Sequence, residues 1–222
     1  MNFPLCPRFQ AVLFDMDGTL LDTLSDMQDA VNHILLENGW PQRTLEEIRA
    51  FVGNGAAKLM ERAIPEPIAP QRFQEILSAY KDWYQAHNCV KTAPYPGIPE
   101  VLAELEKMGV KTAVVSNKPD ATTKALAEKF FPGMPALGQR DGVDPKPSPA
   151  LVAQALSDLG VRPENAVYVG DSEVDVLTAK NAGVPCLSVL WGFRDREQIG
   201  GSRYCETVDR LVPMLEEMAC GK

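Results

Sequence analysis

Long apolar runs and clustered cysteines are what this sequence most clearly lacks. No apolar stretch approaches the ~18 residues that a membrane-spanning helix needs, and no basic segment followed by an apolar one predicts a secretion signal. The cysteines are scattered, odd in number and without any Cys-x-x-Cys pair, which argues against a disulfide framework and against a zinc site. We therefore expect a cytoplasmic protein with no membrane partner. The five cysteines are Cys6, Cys89, Cys186, Cys205 and Cys220.

Positive charge and histidine are also scarce. The chain has 22 Lys and Arg residues against 30 Asp and Glu, a formal net charge of −8, and no cluster of basic side chains. A net negative charge without a basic cluster disfavours binding to nucleic acid, so we do not expect nucleic acid as a partner. Small phosphorylated substrates remain compatible, because one local cation site outweighs a diffuse negative field. The two histidines, His33 and His87, are isolated on predicted helices and are interpreted as structural.

The most informative stretch that is present begins with the apolar run Ala11–Phe14. A short apolar run bounded by turn residues is typical of a buried parallel strand. Asp15 and Asp17 follow, and alternate side chains of an extended chain leave on the same side, so both carboxylates should converge at the carboxyl end of the strand. Crowded carboxylates repel unless they share a proton or a cation, and Mg²⁺ prefers such oxygen ligands. The alternative is an ordinary surface turn, since Asp and Gly are common turn residues.

Residues 21–91 predict helices and no convincing strand. Ser25 with Gln28, and Thr44 with Glu47, have the spacing of capping boxes that open helices. A connection between parallel strands needs only about a dozen residues including its crossover helix, so this longer segment is expected to form a domain of its own. Because it begins shortly after the two carboxylates, we expect it to be a helical cap that stands over the site.

From Pro94 onward, predicted helices and strands alternate, which is typical of a parallel sheet. The expected fold class is therefore α/β. Residues 1–20 and 92–222 should form a Rossmann-like parallel sheet core with helices on both faces, and residues 21–91 an inserted α-helical cap domain.

Polar groups that suit phosphoryl chemistry recur after the predicted strands of this core. Ser116 and Asn117 follow one strand, Asp171 follows another with Asp175 one helical turn later, and Lys146 lies in a proline-rich loop. Each feature alone has an ordinary structural explanation, as a strand-end serine, a helix cap or a solvated lysine. Their joint occurrence at the ends of parallel strands indicates one site.

On these motifs the chain resembles a phosphatase of the haloacid dehalogenase superfamily with a helical cap. The motifs are residues 15–19, Ser116, Lys146 and residues 170–175, in the order that this superfamily has them. Residues 51–55, 116–119 and 146–149 most resemble phosphoglycolate phosphatases. The carboxylate at Asp17 implies phosphoryl transfer, since dehalogenases and phosphonate hydrolases lack a carboxylate there.

Roles for these residues follow from their chemistry and agree with those that the resemblance implies. Asp15 is the expected nucleophile, forming an aspartyl-phosphate, while Asp17 protonates the leaving alkoxide and then activates water. Ser116 donates to phosphoryl oxygens, and Lys146 neutralises charge on the nucleophile and the phosphate. The expected Mg²⁺ ligands are Asp15, the backbone carbonyl of Asp17, and Asp171.

Supporting and substrate-binding residues complete the predicted site. Asp175 and Ser172 should form a second layer behind Asp171, where Asp175 orders either waters or Lys146. The hydroxyl of Thr19 should form a hydrogen bond that orients the neighbouring acid. The residues expected to contact the substrate are Gly18, Thr19, Gly53, Asn54, Gly55 and Asn117.

Substrate selection is expected from the cap, because the core motifs engage only the phosphoryl group. The loop of residues 53–55 contains two glycines and precedes a predicted helix, so backbone N–H groups there could receive a carboxylate. Lys58, Arg62 and Lys118 could add positive charge. A small carboxylated substrate fits such a loop better than a bulky sugar. The alternative is that residues 53–55 are only a turn between helices.

The expected function is Mg²⁺-dependent hydrolysis of a small phosphorylated metabolite, with 2-phosphoglycolate favoured. The alternatives are a sugar phosphomutase similar to β-phosphoglucomutase, a phosphatase of another small metabolite or of pyrophosphate, and, from a different class, a non-catalytic binding protein. A monomer or a homodimer is expected. Residues 191–194 follow the last predicted strand and either lie near the site or form an unrelated surface loop.

Overall fold

A computed structural model of the chain describes residues 9–219. The chain divides into two compact units, one formed by Leu21–Ala93 and the other by the residues up to Leu20 and from Pro94 onward. The strands are β1 (Ala11–Phe14), β2 (Leu21–Asp22), β3 (Ala93–Pro94), β4 (Lys111–Pro119), β5 (Ala136–Gln139), β6 (Ala166–Gly170), β7 (Cys186–Val189) and β8 (Tyr204–Cys205).

The larger unit is built on a six-stranded sheet with the order β5-β4-β1-β6-β7-β8. Its neighbouring strands pair in parallel, with Phe14 opposite Val114 on one side and Val169 on the other. The four residues of β1 are at most 1% exposed. The apolar run at the start of the sequence therefore forms a central strand that is buried on both faces, as predicted.

The smaller unit is mostly helical, although it begins with the two-residue strand β2, which the sequence did not predict. Its helices are α1 (Leu24–Glu37), α2 (Leu45–Phe51), α3 (Gly55–Ala63) and α4 (Pro70–His87). The capping box at Thr44 and Glu47 is confirmed: Thr44 Oγ1 accepts from the Glu47 N–H at 3.2 Å, and Glu47 Oε2 accepts from the Thr44 N–H at 2.8 Å. The box predicted at Ser25 and Gln28 is wrong, because α1 already begins at Leu24.

A buried carboxylate joins the two ends of this smaller unit. Asp26 on α1 is 1% exposed and accepts hydrogen bonds from the backbone N–H groups of Val90, Lys91 and Thr92, each with an N–O distance between 2.9 and 3.1 Å. These residues lead into β3, which pairs with β2 in a two-stranded sheet of its own. Asp26 therefore fixes the returning segment against the first helix.

Helices flank the sheet of the larger unit. They are α5 (Ile98–Lys107), α6 (Asp120–Phe130), α7 (Ala150–Leu159), α8 (Glu173–Ala182), α9 (Arg196–Ile199) and α10 (Leu211–Ala219). The predicted α/β class with a parallel sheet and a helical insertion is thus confirmed. Across residues 9–219, none of the helices is long and apolar enough to cross a membrane. Cys89, Cys186 and Cys205 are free thiols, and Cys6 and Cys220 lie outside the described residues.

Candidate active site

The carboxyl ends of three neighbouring strands bring the predicted catalytic residues together. Asp15 follows β1, Ser116 lies in β4, and Asp171 follows β6; β4 and β6 are the two partners of β1 in the sheet. The Asp15 N–H donates to the Val169 carbonyl oxygen at 2.9 Å, which continues the β1–β6 ladder to the edge of the site. Asp15, Ser116 and Asp171 are all buried.

Lys146 lies at the centre of this arrangement. Its Nζ is 2.9 Å from Asp15 Oδ1, 2.8 Å from Asp175 Oδ1 and 3.1 Å from the Tyr168 hydroxyl oxygen. Burial disfavours the charged amine, yet the carboxylates of Asp15 and Asp175 outweigh that effect and raise the pKa of Lys146 well above its usual value. The side chain is therefore a fixed ammonium beside the predicted nucleophile. Of the two predicted roles for Asp175, the structure shows the contact with Lys146.

Tyr168 is a site residue that sequence reasoning missed. Its ring lies in the buried strand β6, and its hydroxyl donates to the Val115 carbonyl oxygen at 2.9 Å while accepting from Lys146. Burial raises the pKa of Tyr168 well above its usual value, so the hydroxyl keeps its proton. The available signal was a tyrosine in an otherwise apolar strand, because a buried tyrosine hydroxyl usually has a partner.

Asn117 holds the main chain of Lys146 from both sides. The Lys146 N–H donates to Asn117 Oδ1 at 2.7 Å, and Asn117 Nδ2 donates to the Lys146 carbonyl oxygen at 3.0 Å. Asn117 was predicted to contact the substrate. Both polar ends of its carboxamide bond to the main chain of Lys146, and substrate contact stays a prediction.

Three buried carboxylates form a group that could hold a cation. Oxygen atoms of Asp15, Asp171 and Asp175 all lie within 4.8 Å of one another. Burial raises the pKa of Asp15 to about 7 against the opposing Lys146 ammonium, and burial together with the two neighbouring carboxylates raises the pKa of Asp171 well above its usual value. Asp15 and Asp171 thus resist ionisation without a counter-charge. A cluster of buried carboxylate oxygens fits a hard divalent cation such as Mg²⁺.

Both carboxylate oxygens of Asp175 are already engaged within the protein. Ser172 donates to Asp175 Oδ2 from its hydroxyl at 2.6 Å and from its N–H at 3.1 Å. With Lys146 on the other oxygen, Asp175 is fixed by hydrogen bonds at the start of α8. The position of Asp175 and Ser172 behind the metal ligands stays a prediction.

Asp17 forms an ion pair with a buried lysine, whereas the Thr19 hydroxyl has no hydrogen-bond partner among the described residues. Asp17 Oδ1 is 3.1 Å from Nζ of Lys118, and the side chain of Lys118 is 3% exposed. This buried lysine therefore contacts the predicted acid. The Ser116 hydroxyl oxygen accepts from the Lys118 N–H at 3.2 Å. Thr19 Oγ1 is buried and makes no hydrogen bond among the described residues. The orienting hydrogen bond predicted for the Thr19 hydroxyl is therefore not present in this structure.

Glycine at position 18 is required by the close approach of Asp171. Gly18 has φ of +81°, and a Cβ atom there would overlap the Asp171 carboxylate. This loop therefore packs directly on the acid that follows β6. The segment after β7 packs on the same group, since the Phe193 N–H donates to Asp171 Oδ2 at 2.7 Å. Residues 191–194 thus lie at the site, which settles the alternative left open by the sequence.

In the helical unit, the loop of residues 53–55 joins α2 to α3. Gly53 and Gly55 have φ values of 111° and 84°, which favour glycine. Arg62 donates to the Phe51 carbonyl oxygen at 2.7 Å and to Asn54 Oδ1 at 2.8 Å, so its guanidinium supports the loop. Asn54 makes no side-chain cap to α3, the helix that follows.

Comparisons with known proteins show the family to which this chain belongs. Residues 12–189 match the haloacid dehalogenase-like hydrolase family, and the chain belongs to that family. A phosphoglycolate phosphatase of Pseudomonas savastanoi pv. phaseolicola is 35% identical over 218 residues, covering 92% of this chain and 78% of that protein. The curated relatives confirm the prediction that this chain is a phosphatase.

Two solved structures extend the comparison. A protein of Lactobacillus delbrueckii subsp. bulgaricus, provisionally assigned as a phosphoglycolate phosphatase, is 33% identical with a TM-score of 0.87, covering 97% of this chain and all of that one. A mutant of CbbY from Rhodobacter sphaeroides, in complex with xylulose-(1,5)bisphosphate, is 26% identical with a TM-score of 0.73, covering 91% and 96% of the two chains. Both share the fold described above.

Proposed function

We propose that this phosphatase hydrolyses 2-phosphoglycolate in a Mg²⁺-dependent reaction that passes through an aspartyl-phosphate on Asp15. The observation that carries the mechanism is the contact between the buried Asp15 carboxylate and the Lys146 ammonium at 2.9 Å. The substrate is proposed from relatives at 33–35% identity that are named phosphoglycolate phosphatases.

In the first step, an Asp15 oxygen forms a bond to phosphorus while the bond from phosphorus to the leaving oxygen breaks. Asp17 gives its proton to that leaving oxygen, which departs as the alcohol of glycolate. In the second step, Asp17 accepts a proton from water as the water oxygen attacks phosphorus. Inorganic phosphate leaves, and the Asp15 carboxylate is restored.

The protein supplies fixed positive charge where negative charge gathers. Lys146 contacts the nucleophile and is held by Asp175, Tyr168 and Asn117, so little reorganisation is needed when the phosphoryl group arrives. Lys118 contacts Asp17 at 3.1 Å and keeps that carboxyl group close to the reacting centre. Ser116 is proposed to donate to a phosphoryl oxygen.

Asp15, the backbone carbonyl of Asp17, and Asp171 would hold Mg²⁺. When bound, the cation would offset the charge of these carboxylates and of the phosphoryl oxygens. Asp175 and Ser172 would act behind them, since their polar groups are bonded to one another and to Lys146.

Preference for a carboxylated substrate is proposed to come from the helical unit, acting as a cap. Its candidate reader is the loop of Gly53, Asn54 and Gly55, which precedes an α3 that lacks a side-chain cap. Gly55→Val should reduce the preference for 2-phosphoglycolate over an uncharged two-carbon phosphate. If the parent shows no such preference, or if the variant keeps it, this loop is not the reader.

Trapping the intermediate tests the mechanism directly. Protein incubated briefly with ³²P-labelled 2-phosphoglycolate and quenched in acid should carry label on the peptide that contains Asp15. Asp15→Asn should remove both the label and turnover while the circular-dichroism spectrum stays unchanged. Labelling at another residue, or turnover in that variant, would assign the nucleophile elsewhere.

The likeness to a protein that binds a sugar bisphosphate favours a phosphorylated sugar as the second candidate. A panel of phosphorylated metabolites at equal concentration, with kcat/KM measured for each, separates the two candidates. Detecting inorganic phosphate rather than an isomer of the added sugar phosphate separates a phosphatase from a phosphomutase.

A further inference from the structure

The segment that follows β7 touches both loops that carry the predicted metal ligands. We call Trp191, Gly192 and Phe193 the post-β7 clasp. Its backbone reaches Asp171, and its tryptophan reaches the loop that contains Asp15 and Asp17.

The first contact is a hydrogen bond to the carboxylate of Asp171. The Phe193 N–H donates to Asp171 Oδ2 at 2.7 Å, and both residues are buried. The short distance is typical of an N–H group that donates to a carboxylate oxygen. This bond fixes the position of one oxygen of Asp171.

The second contact is the close packing of Gly192. A Cβ atom at this position would overlap the Asp171 side chain and would lie 2.5 Å from the Gly18 carbonyl oxygen. The φ angle of Gly192 is outside the left-handed region, so an alanine could adopt this backbone conformation. Glycine is thus required here by space alone, at a point where two loops and one carboxylate meet.

The third contact joins the clasp to the first loop. Trp191 Nε1 donates to the Thr19 carbonyl oxygen at 3.0 Å. Thr19 lies two residues after Asp17, whose carbonyl is a proposed metal ligand. The clasp therefore bonds to the loop after β1 and to the acid after β6, the two places from which the ligands come.

We propose that the post-β7 clasp is a positioning device that sets the metal affinity of the site. It fixes the Asp171 carboxylate relative to the loop after β1. Groups that orient metal ligands typically change metal affinity by about 10- to 100-fold when they are removed. This proposal rests on the proposed function, in which Asp171 is a metal ligand.

The test is the Mg²⁺ dissociation constant, measured by titration calorimetry on the metal-free protein. Gly192→Ala should weaken Mg²⁺ binding about 10- to 100-fold, because the added methyl displaces Asp171. Trp191→Phe keeps an aromatic ring but removes the N–H, and should weaken binding about 10-fold, the lower end of such effects. Thermal unfolding of the metal-free variants establishes that each is folded.

Two matched variants control for general damage. Gly201→Ala also crowds a glycine outside the left-handed region, but its neighbour is the Ser188 hydroxyl. Trp40→Phe also removes a bonded indole N–H, at 2.8 Å from Glu66 in the helical unit. Both should bind Mg²⁺ as the parent does.

The outcomes separate this proposal from the one on which it rests. If the parent binds Mg²⁺ and both clasp variants bind it equally well, the clasp does not position Asp171, and the proposed function is unaffected. If Gly192→Ala fails to fold, parental affinity in Trp191→Phe overturns the proposal. If the parent itself does not bind Mg²⁺ yet hydrolyses phosphate esters, the proposed cofactor is wrong and the clasp proposal falls with it.

Discussion

Asn117 and Lys146 form two hydrogen bonds in opposite directions, between the carboxamide of one and the main chain of the other. The two hydrogen bonds resemble the reciprocal backbone pair that joins neighbouring strands in a sheet. Because Asn117 directly follows Ser116, this pairing ties the proline-rich loop to the end of β4. The pairing positions Lys146 relative to Asp15 through the main chain of Lys146. The ammonium group takes no part in the pairing.

Asn117→Ala should therefore lower kcat by about 10²-fold, the scale expected when a catalytic group is displaced by about 1 Å. KM should change far less, since the substituted side chain bonds to protein groups. Steady-state kinetics with saturating Mg²⁺ check this split. Asn181→Ala is the control, because Asn181 also bonds to the same loop, at the Pro147 carbonyl oxygen, but from an exposed position. A large rise in KM with unchanged kcat would instead favour the original prediction of substrate contact.

Tyr168→Phe removes one of the three acceptors around the Lys146 ammonium and the donor to Val115. We expect the free energy of unfolding to fall by about 1–2 kcal/mol and kcat to fall about tenfold. A double-mutant cycle with Lys146→Met tests whether Tyr168 affects kcat through Lys146. If Tyr168 acts through Lys146, its substitution should change the residual activity of Lys146→Met very little. Additive losses would show that it does not; Tyr204→Phe, which loses a hydroxyl bonded to Gly201, is the control.

That Asp15, Ser116 and Asp171 lie close together could be predicted from the position of each at the end of a strand. Any parallel sheet places the carboxyl ends of neighbouring strands at one edge. The apolar runs before Asp15, Ser116 and Asp171 were therefore enough to predict that these residues lie near one another. The roles of Asn117, Tyr168 and Trp191 depend instead on which atoms meet between segments distant in sequence. No local pattern reports that the Trp191 indole reaches Thr19.

The two capping boxes show the same limit within the helical unit. Thr44 and Glu47 form the predicted box, whereas Ser25 already lies inside α1. The first N–H of that helix is bonded to the upstream Asp22 Oδ1 at 3.3 Å, and the Gln28 amide donates to the distant Arg43 carbonyl oxygen at 3.1 Å. Competing acceptors outside the four-residue pattern therefore decided the outcome.

Metal removal should both inactivate and destabilise the protein. The buried carboxylates of Asp15 and Asp171 repel one another, so Mg²⁺ should raise the Tm of the metal-free protein, by an amount that grows with Mg²⁺ concentration. Asp171→Asn should abolish this dependence. Ca²⁺ prefers longer bonds and looser geometry, so it should inhibit rather than replace Mg²⁺. A Tm that does not respond to Mg²⁺ would contradict the proposed ligands.

Asp26 offers a test of the segment that returns from the helical unit. Asp26→Asn keeps the size of the side chain but removes the charge that three backbone N–H groups share, and should lower the free energy of unfolding by about 1.5–3 kcal/mol. Asp29→Asn is the matched control, because Asp29 forms only an exposed ion pair with Lys91 and should contribute less than about 1 kcal/mol. Urea unfolding measures both. If both variants lost the same free energy of unfolding, the buried hydrogen bonds of Asp26 would contribute no more than the exposed ion pair of Asp29.

The role of Asp17 is best tested by varying the leaving group. A poor leaving group such as an alkoxide needs a proton as it departs, whereas p-nitrophenolate leaves readily without one, and general acid catalysis is worth about 10²–10⁴-fold. Asp17→Asn should therefore lose far more activity toward 2-phosphoglycolate than toward p-nitrophenyl phosphate in single-turnover measurements of the first step. Hydrolysis of the aspartyl-phosphate should slow equally for both substrates, because the intermediate is the same. Equal losses in the first step would show that Asp17 is not the leaving-group acid, and that its ion pair with Lys118 serves only to hold the loop.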